Sequence, residues 1–449
     1  MEPGRKNVVI LSLGFFFLFT AYDTLQNYAT TLLGSLGNAS IGALCLSVCV
    51  GVLFAPAVVV RIGERAGMVV GAVTFLPFFG ALLVHGPLRN GLLITASILL
   101  GLGASVMWVA QGSFLTKNST DDTLGTNSGI FWGMFQACQI VGNLSVFLLM
   151  PHLPGDGTLF LIFIGICCLG IVTLCCLSPA SGDIEEENEK AEETRSPDEE
   201  HESSCCATVG MRVRGVVRMM FCRREIVLMA PLFFFSGMEL SFRTAEFPQT
   251  IANKDRVGLL MAFGGVGSTI GGFGLGPLSD RLGRAPTTAL GTIGFLASLL
   301  LSWLVCVDVR DHHTDDWGEA LEIPVKACLA CLLLGLCDSV FNSQLTALIG
   351  QIFPASEVGL ETNSQAFTAF QFYQHFGSFV GFYGAVPIPM HGADGTALQA
   401  YILGGGTLVS TLLFMLVDYE HREAKAAQEK AEPLLDETRG AGGAGGLPA

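Results

Sequence analysis

The chain has 449 residues, of which 51% are hydrophobic and 14% charged, against roughly 25% charged in a typical soluble domain. At a mean hydropathy of +0.55 it carries more apolar surface than a soluble fold of this length can hide, so the composition specifies an integral membrane protein whose first partner is the lipid bilayer. The net charge of −15 does not point to nucleic acid: eleven acidic and two basic residues between Asp183 and Glu202 supply nine of the excess negatives, and no basic cluster interleaved with aromatics occurs.

A helix needs about 20 apolar residues to cross a bilayer. On that scale the sequence predicts twelve crossings: 7–31, 41–62, 67–85, 91–115, 127–150 and 158–178, then 226–248, 256–279, 286–307, 322–350, 362–386 and 396–418. The first is too long for a cleavable signal and lacks a small-residue cleavage site. It carries Asp23, with Gln26 and Asn27 on or near the same face. Asn38-Ala-Ser40 follows in the first loop as a glycosylation sequon. Pro77 and several glycines interrupt the third run. The fourth carries Trp108 and Gln111, and the fifth Gln136 and Gln139.

After the sixth crossing, residues 181–224 read as a cytoplasmic linker, acidic then basic and largely disordered. The seventh crossing carries Glu239, Arg243 and Glu246 at i, i+4 and i+7, where neighbours can pair as ions. The glycine run of the eighth, Gly264 to Gly276, reads as close helix packing. It ends in the turn Gly276-Pro-Leu-Ser-Asp280-Arg281-Leu-Gly283-Arg284. The tenth carries Asp338 and Asn342, one turn apart. Gln371, Gln374 and His375 on the eleventh read, like the glutamines of the fifth, as interhelical hydrogen bonds rather than ligands. Residues 421–449 read as a disordered tail.

Most of the 14 cysteines lie in apolar runs and read as small packing residues, the Cys328 and Cys331 pair included. The loop Asp311 to Asp316 reads as a solvated acidic loop rather than a metal site. No nucleophile–base pair, metal cluster or phosphate-binding loop occurs in the sequence, so neither an enzyme nor a cofactor is expected.

Lysine and arginine crowd one side of the predicted topology, including Arg5, Lys6, Arg61, Arg65, Lys117, Arg212, Arg214, Arg218, Arg281, Arg284 and Arg422. This distribution predicts cytoplasmic termini and a cytoplasmic linker. The two halves also resemble each other. Leu100-Gly-Leu-Gly-Ala-Ser105 matches Leu334-Gly-Leu-Cys-Asp-Ser339, Asn127-Ser128-x-x-Phe131 matches Asn363-Ser364-x-x-Phe367, and Arg61-Ile-Gly63 matches Arg281-Leu-Gly283. Six-helix bundles over 1–180 and 225–420, repeated in parallel about a pseudo-two-fold axis along the membrane normal, are the all-α major facilitator arrangement.

An ionisable side chain at bilayer depth costs about 2.5–3.5 kcal/mol on insertion scales, so it normally faces a cavity or a partner. The polar residues of crossings 1, 4, 7 and 10 therefore form one candidate set around a central cavity for solute or protons: Asp23, Gln26, Trp108, Gln111, Glu239, Arg243, Asp338 and Asn342. The competing reading of Glu239, Arg243 and Glu246 is a structural ion cluster that holds the halves together.

The turn from Gly276 to Arg284 matches the G-x-L-x-D-R-x-G-R signature of the major facilitator superfamily. It makes Gly276, Asp280, Arg281, Gly283 and Arg284 a candidate cytoplasmic gate, with both arginines anchored to the surface. The corresponding first-half turn, Arg61-Ile-Gly-Glu-Arg65-Ala-Gly67, lacks the aspartate. Over nearly the whole chain, Phe19-Thr-Ala-Tyr-Asp-Thr-Leu-Gln26, Trp108-Val-Ala-Gln-Gly112, Asn127-Ser-Gly-Ile-Phe-Trp132 and Asp338-Ser-Val-Phe-Asn342-Ser-Gln344 resemble the unc-93-like branch of that superfamily. Asp23 departs from the uncharged residue the resemblance would place there. The resemblance implies either a transporter-like protein, taking a small solute and protons, or a regulatory subunit or trafficking chaperone of an ion channel or receptor. The membrane it implies is the plasma membrane or the endolysosome.

Overall fold

A computed structural model of the protein describes residues 3–119, 123–179, 205–249, 254–312, 322–354, 360–384 and 392–442. All regular structure among them is helical, as hydrocarbon demands, because each backbone N–H must find its acceptor within its own segment. The first half contains α1 (Pro3–Leu33), α2 (Ser35–Ile62), α3 (Glu64–Val73), α4 (Phe75–Leu83), α5 (Leu88–Lys117), α6 (Leu124–Leu149) and α7 (Asp156–Cys175). Next come α8 (Cys205–Cys222) and α9 (Arg224–Ser241). A π turn at Phe242–Glu246 leads from α9 into the short α10 (Phe247–Gln249). The chain then runs through α11 (Lys254–Leu282), α12 (Arg284–His312), α13 (Glu322–Ile352), α14 (Leu360–Gly384) and α15 (Gly392–Gly442).

Ten spans among the described residues are long and apolar enough to cross a membrane. α11 and α14, the eighth and eleventh predicted crossings, also have membrane-spanning lengths of 29 and 25 residues. Glycine in α11 and glutamine in α14 lower their hydropathy. The third predicted crossing is α3 and α4 in succession, broken at Thr74. The cause is Pro77, which has no N–H for the carbonyl four residues back.

The two halves repeat each other in their packing. α1 lies on α6 and α7, α2 on α5, and α3 on α5. In the second half α9 lies on α14 and α15, α11 on α13, and α12 on α13. Two pairs close the seam between the halves, α2 with α14 and α6 with α11. Glycine lets these helices approach: a Cβ on Gly335 would strike the Gly264 carbonyl, and one on Gly265 would lie 3.1 Å from the Ile140 nitrogen. The repeated asparagines do the same work in each half. Asn127 opens α6 and donates to Ser119 Oγ at 2.9 Å, while Asn363 near the start of α14 donates to the Phe353 carbonyl at 2.6 Å. Each thereby ties its helix to the end of the preceding one.

Two segments differ from the sequence expectation of disorder. Within 181–224, residues 205–222 form α8; apolar residues at helical spacing bury Val216, Met219 and Met220 against the bundle, and the flanking arginines do not prevent it. Within 421–449, α15 continues to Gly442. The stretch Glu423 to Glu432 is rich in alanine, glutamate, lysine and glutamine, all strong helix formers.

Candidate functional site

The charged residues predicted to lie at bilayer depth converge. Arg243, in the π turn, approaches Glu239 one turn back on α9, with Nε 3.2 Å from Oε1. Its Nη2 lies 3.8 Å from Asp338 Oδ2 on α13. Asp338 Oδ1 accepts a 2.7 Å hydrogen bond from Asn342 Nδ2, and Asn342 Oδ1 accepts one of 2.8 Å from Gln374 Nε2 on α14. Gln374 Nε2 also lies 3.3 Å from Ser236 Oγ, which returns the chain of bonds to α9. Three helices of the second half are thus tied through one polar ring.

Asp23 lies on α1, which packs on the π turn that carries Arg243. Its Oδ2 accepts from Gln139 Nε2 at 2.9 Å and from Cys138 Sγ at 3.6 Å, both on α6. Arg243 thus lies within ion-pair distance of two acids, Glu239 on its own helix and Asp338 on α13. The Glu239 and Arg243 side chains are 2% and 6% exposed, whereas Asp338 retains 20%. Asp23 likewise keeps accessible surface although protein surrounds it. Glu239 Oε2 is buried with no hydrogen-bond partner among the described residues, a state that carries a desolvation penalty.

A π turn inserts an extra residue into a helical turn and is often found at functional sites. Here it splits the predicted stripe. Glu239 and Arg243 face α13, but the wider turn carries Glu246 round to α15, where Gln399 Nε2 lies 3.3 Å from its Oε2. The same turn packs on α1 and joins the two halves there.

The remaining members of the candidate set lie apart from this ring. Trp108 joins an aromatic cluster, 5.3 Å from the ring centroids of Phe15, Phe19 and Phe135 and stacked on Trp132 at 5.9 Å. Gln26 and Gln111 are buried, and no hydrogen bond from either to the charged group is seen among the described residues. Gln139 and Gln374 make interhelical hydrogen bonds, as the sequence suggested, but to the acid of α1 and to the asparagine that holds Asp338. Polar residues on crossings 5 and 11, one helix from each half, were the signal that they belong to the site.

The family model of the ion channel regulatory protein UNC-93 matches residues 35–414. The chain belongs to the UNC-93 family. It is 28% identical over 421 residues to the UNC93-like protein MFSD11 of Xenopus laevis, covering 87% of this chain and 93% of that protein. It is 23% identical over 430 residues to the putative potassium channel regulatory protein unc-93 of Caenorhabditis elegans, covering 84% of this chain and 56% of the other. Among solved structures, the D-xylose-proton symporter superposes with a TM-score of 0.64 at 14% identity, covering 91% of this chain and 97% of that one. This UNC-93 family member therefore has the major facilitator fold and is a multi-pass membrane protein.

At the end of the bundle that carries the N-terminus, the chain turns twice in the same way. Gly63 between α2 and α3 has φ 80°, and Gly283 between α11 and α12 has φ 89°, backbone that glycine adopts without strain. The next residue is charged in both halves. Glu64 Oε1 lies 2.8 Å from Lys117 Nζ and accepts from Ser113 Oγ at 2.8 Å, which ties the first turn to the end of α5. Arg284 departs from its expected surface position. It is buried, and its Nη1 lies 2.7 Å from Asp418 Oδ1 on α15. Arg422 holds the other oxygen at 3.0 Å. Arg281 is exposed. The side-chain surroundings of Gly276 and Asp280, like loop residues 313–316, lie outside the described residues.

Breaking a buried ion pair from one side typically costs about 3–5 kcal/mol. Arg284→Ala is therefore expected to lower the melting temperature of the detergent-solubilised protein, and the exchange R284D/D418R to recover part of the loss. Thermal unfolding followed by tryptophan fluorescence measures both.

The glycan expected at Asn38 is not supported. Asn38 lies in the first turns of α2 rather than in a loop and is 2% exposed, so its amide is closed to modification in the folded chain.

Proposed function

We propose that this protein is a secondary transporter-like member of the UNC-93 family, moving a small solute together with protons or another cation through the space between its halves. Twelve crossings, with bundles over 1–180 and 225–420, complete the architecture. Asp338 carries this reading: it is partly accessible, enclosed by protein, and wired to both Arg243 and the α14 glutamine. In this reading Asp23, Glu239, Arg243 and Asp338 bind the solute or exchange protons, and Asn342 positions Asp338. Gln26, Trp108 and Gln111 add to the lining of the space between the halves. The turn with Gly276, Asp280, Arg281, Gly283 and Arg284 controls access from the cytoplasmic side, where the lysine and arginine excess places both termini. The charge distribution is equally compatible with the plasma membrane and the endolysosome.

The test is uptake of a broad solute panel into proteoliposomes under an imposed pH gradient. Asp338→Asn keeps the shape and the acceptor for Asn342 but removes the charge, and is expected to abolish pH-dependent uptake, a loss of tenfold or more, with the melting temperature near wild type. The second reading is a non-transporting regulatory subunit or trafficking chaperone of a channel or receptor, supported by the name of the Caenorhabditis elegans relative. A protein that moves nothing across the panel yet co-purifies with a single channel or receptor from native membranes would establish that reading instead.

A further inference from the structure

The helix between the halves presents two different faces. α8 packs on α14 and α9 of the second half and on α2 of the first. Its inner face buries Val216, Met219 and Met220, and the Met220 carbonyl accepts from Tyr373 OH at 3.2 Å. A Cβ on Gly215 would strike the Gln365 side chain of α14. The helix is thus seated firmly across the seam.

The outer face is a mixed stripe. Met211, Arg214, Val217, Arg218 and Phe221 recur at three- and four-residue spacing, which places them on one side of a helix. Met211, Val217 and Phe221 are 64%, 43% and 65% exposed. Arg214 and Arg218 are exposed between them, and no ion pair is seen for either among the described residues. Water alone is a poor match for three large apolar side chains in a row. A basic polar edge around an apolar stripe is instead the composition of helices that lie in the headgroup layer. The bilayer is also the nearest surface, because α9 and α14, on which α8 rests, are membrane-length helices.

We propose that α8 is an interfacial helix whose outer face docks on anionic phospholipid in the adjoining leaflet. Met211, Val217 and Phe221 enter the acyl boundary, and Arg214 and Arg218 meet headgroup phosphates. Each arginine near an anionic surface is worth about fivefold in affinity, so the pair gives the helix a strong preference for charged over zwitterionic lipid. Since α8 touches α2 and α14 together, this contact spans the seam between the halves. The inference does not depend on whether the protein transports.

Hydrogen exchange of the full-length protein in nanodiscs tests it, comparing phosphatidylcholine alone with phosphatidylcholine plus phosphatidylserine. Amides of 211–222 are expected to exchange several-fold more slowly with phosphatidylserine present. High salt and R214Q/R218Q should each return them to the phosphatidylcholine rate, while protection in α9 and α14 stays unchanged. Equal exchange in the two lipids would overturn the proposal, as would a phosphatidylserine effect that survives in R214Q/R218Q. If the variant proves unstable, the salt dependence of the wild-type protein decides alone: protection indifferent to salt is not electrostatic docking.

Discussion

Replacing Arg243 with methionine is expected to destabilise the protein by about 3–5 kcal/mol, the usual cost of removing one partner from a buried charge cluster. The loss is large because Arg243 is shared. Glu239 lies beside it, and Asp338 is 3.8 Å away on another helix. Without it, Glu239 is left with one oxygen that has no hydrogen-bond partner among the described residues and another that has lost its donor. The triple variant E239Q/R243M/D338N removes charges of both signs and keeps the volumes. It is expected to recover most of the stability, since a well-packed neutral replacement of a buried ion cluster is often tolerated. Melting temperature and folded yield in detergent report the stability, and uptake of any transported solute reports the rest. Stability regained without transport would show that the charges are there for function. Stability and transport regained together would make the cluster purely structural.

Gly237→Leu is the second large effect. α9 and α14 meet backbone to backbone at this point. A Cβ on Gly237 would strike the Gln374 carbonyl oxygen and sit 2.9 Å from the Ser378 nitrogen, and Ser378 Oγ donates to the Gly237 carbonyl at 2.9 Å. Gly377 makes the reciprocal approach to the Phe234 carbonyl. A leucine has no space unless the two helices separate, and overpacking of this kind costs about 1–3 kcal/mol or more where backbone must move. The separation would also shift Gln374, which holds Asn342 and through it Asp338. G237L is therefore expected to lower both the melting temperature and any Asp338-dependent activity. Gly272→Leu serves as the control, because nothing lies within contact distance of a Cβ there; it should be nearly silent.

The spans were legible because lipid imposes one rule on every residue that faces it, and the run lengths follow that rule directly. The meeting of Glu239, Arg243, Asp338 and Asn342 was legible for the related reason that ionisable groups in apolar helices must find each other. What escaped had other causes. The divergence of Glu246 from the stripe follows from a π turn, which breaks the helical period on which the stripe was read. The burial of Arg284 depends on Asp418, 134 positions away in sequence, and no local pattern announces such a pairing. α8 reads as linker in sequence because it follows the acidic run of 183–202 and is too short and arginine-rich for a crossing, whereas its inner face of valine and methionine decides its fold. The packing of Trp108 among the aromatics of α1 and α6 likewise depends on residues far away in sequence.

In the proposed transporter, Asp23 and Asp338 face one aqueous space shared by the two related halves. Modification of the folded, membrane-embedded protein by a water-soluble carbodiimide and an amine nucleophile, read by peptide mass spectrometry, addresses this directly. Asp23 and Asp338 should both be modified while buried Glu239 is spared, and prior reaction at one should slow reaction at the other. If Asp308, a partly exposed acid near the end of α12, is modified under conditions that leave both Asp23 and Asp338 untouched, there is no shared aqueous space and the account fails.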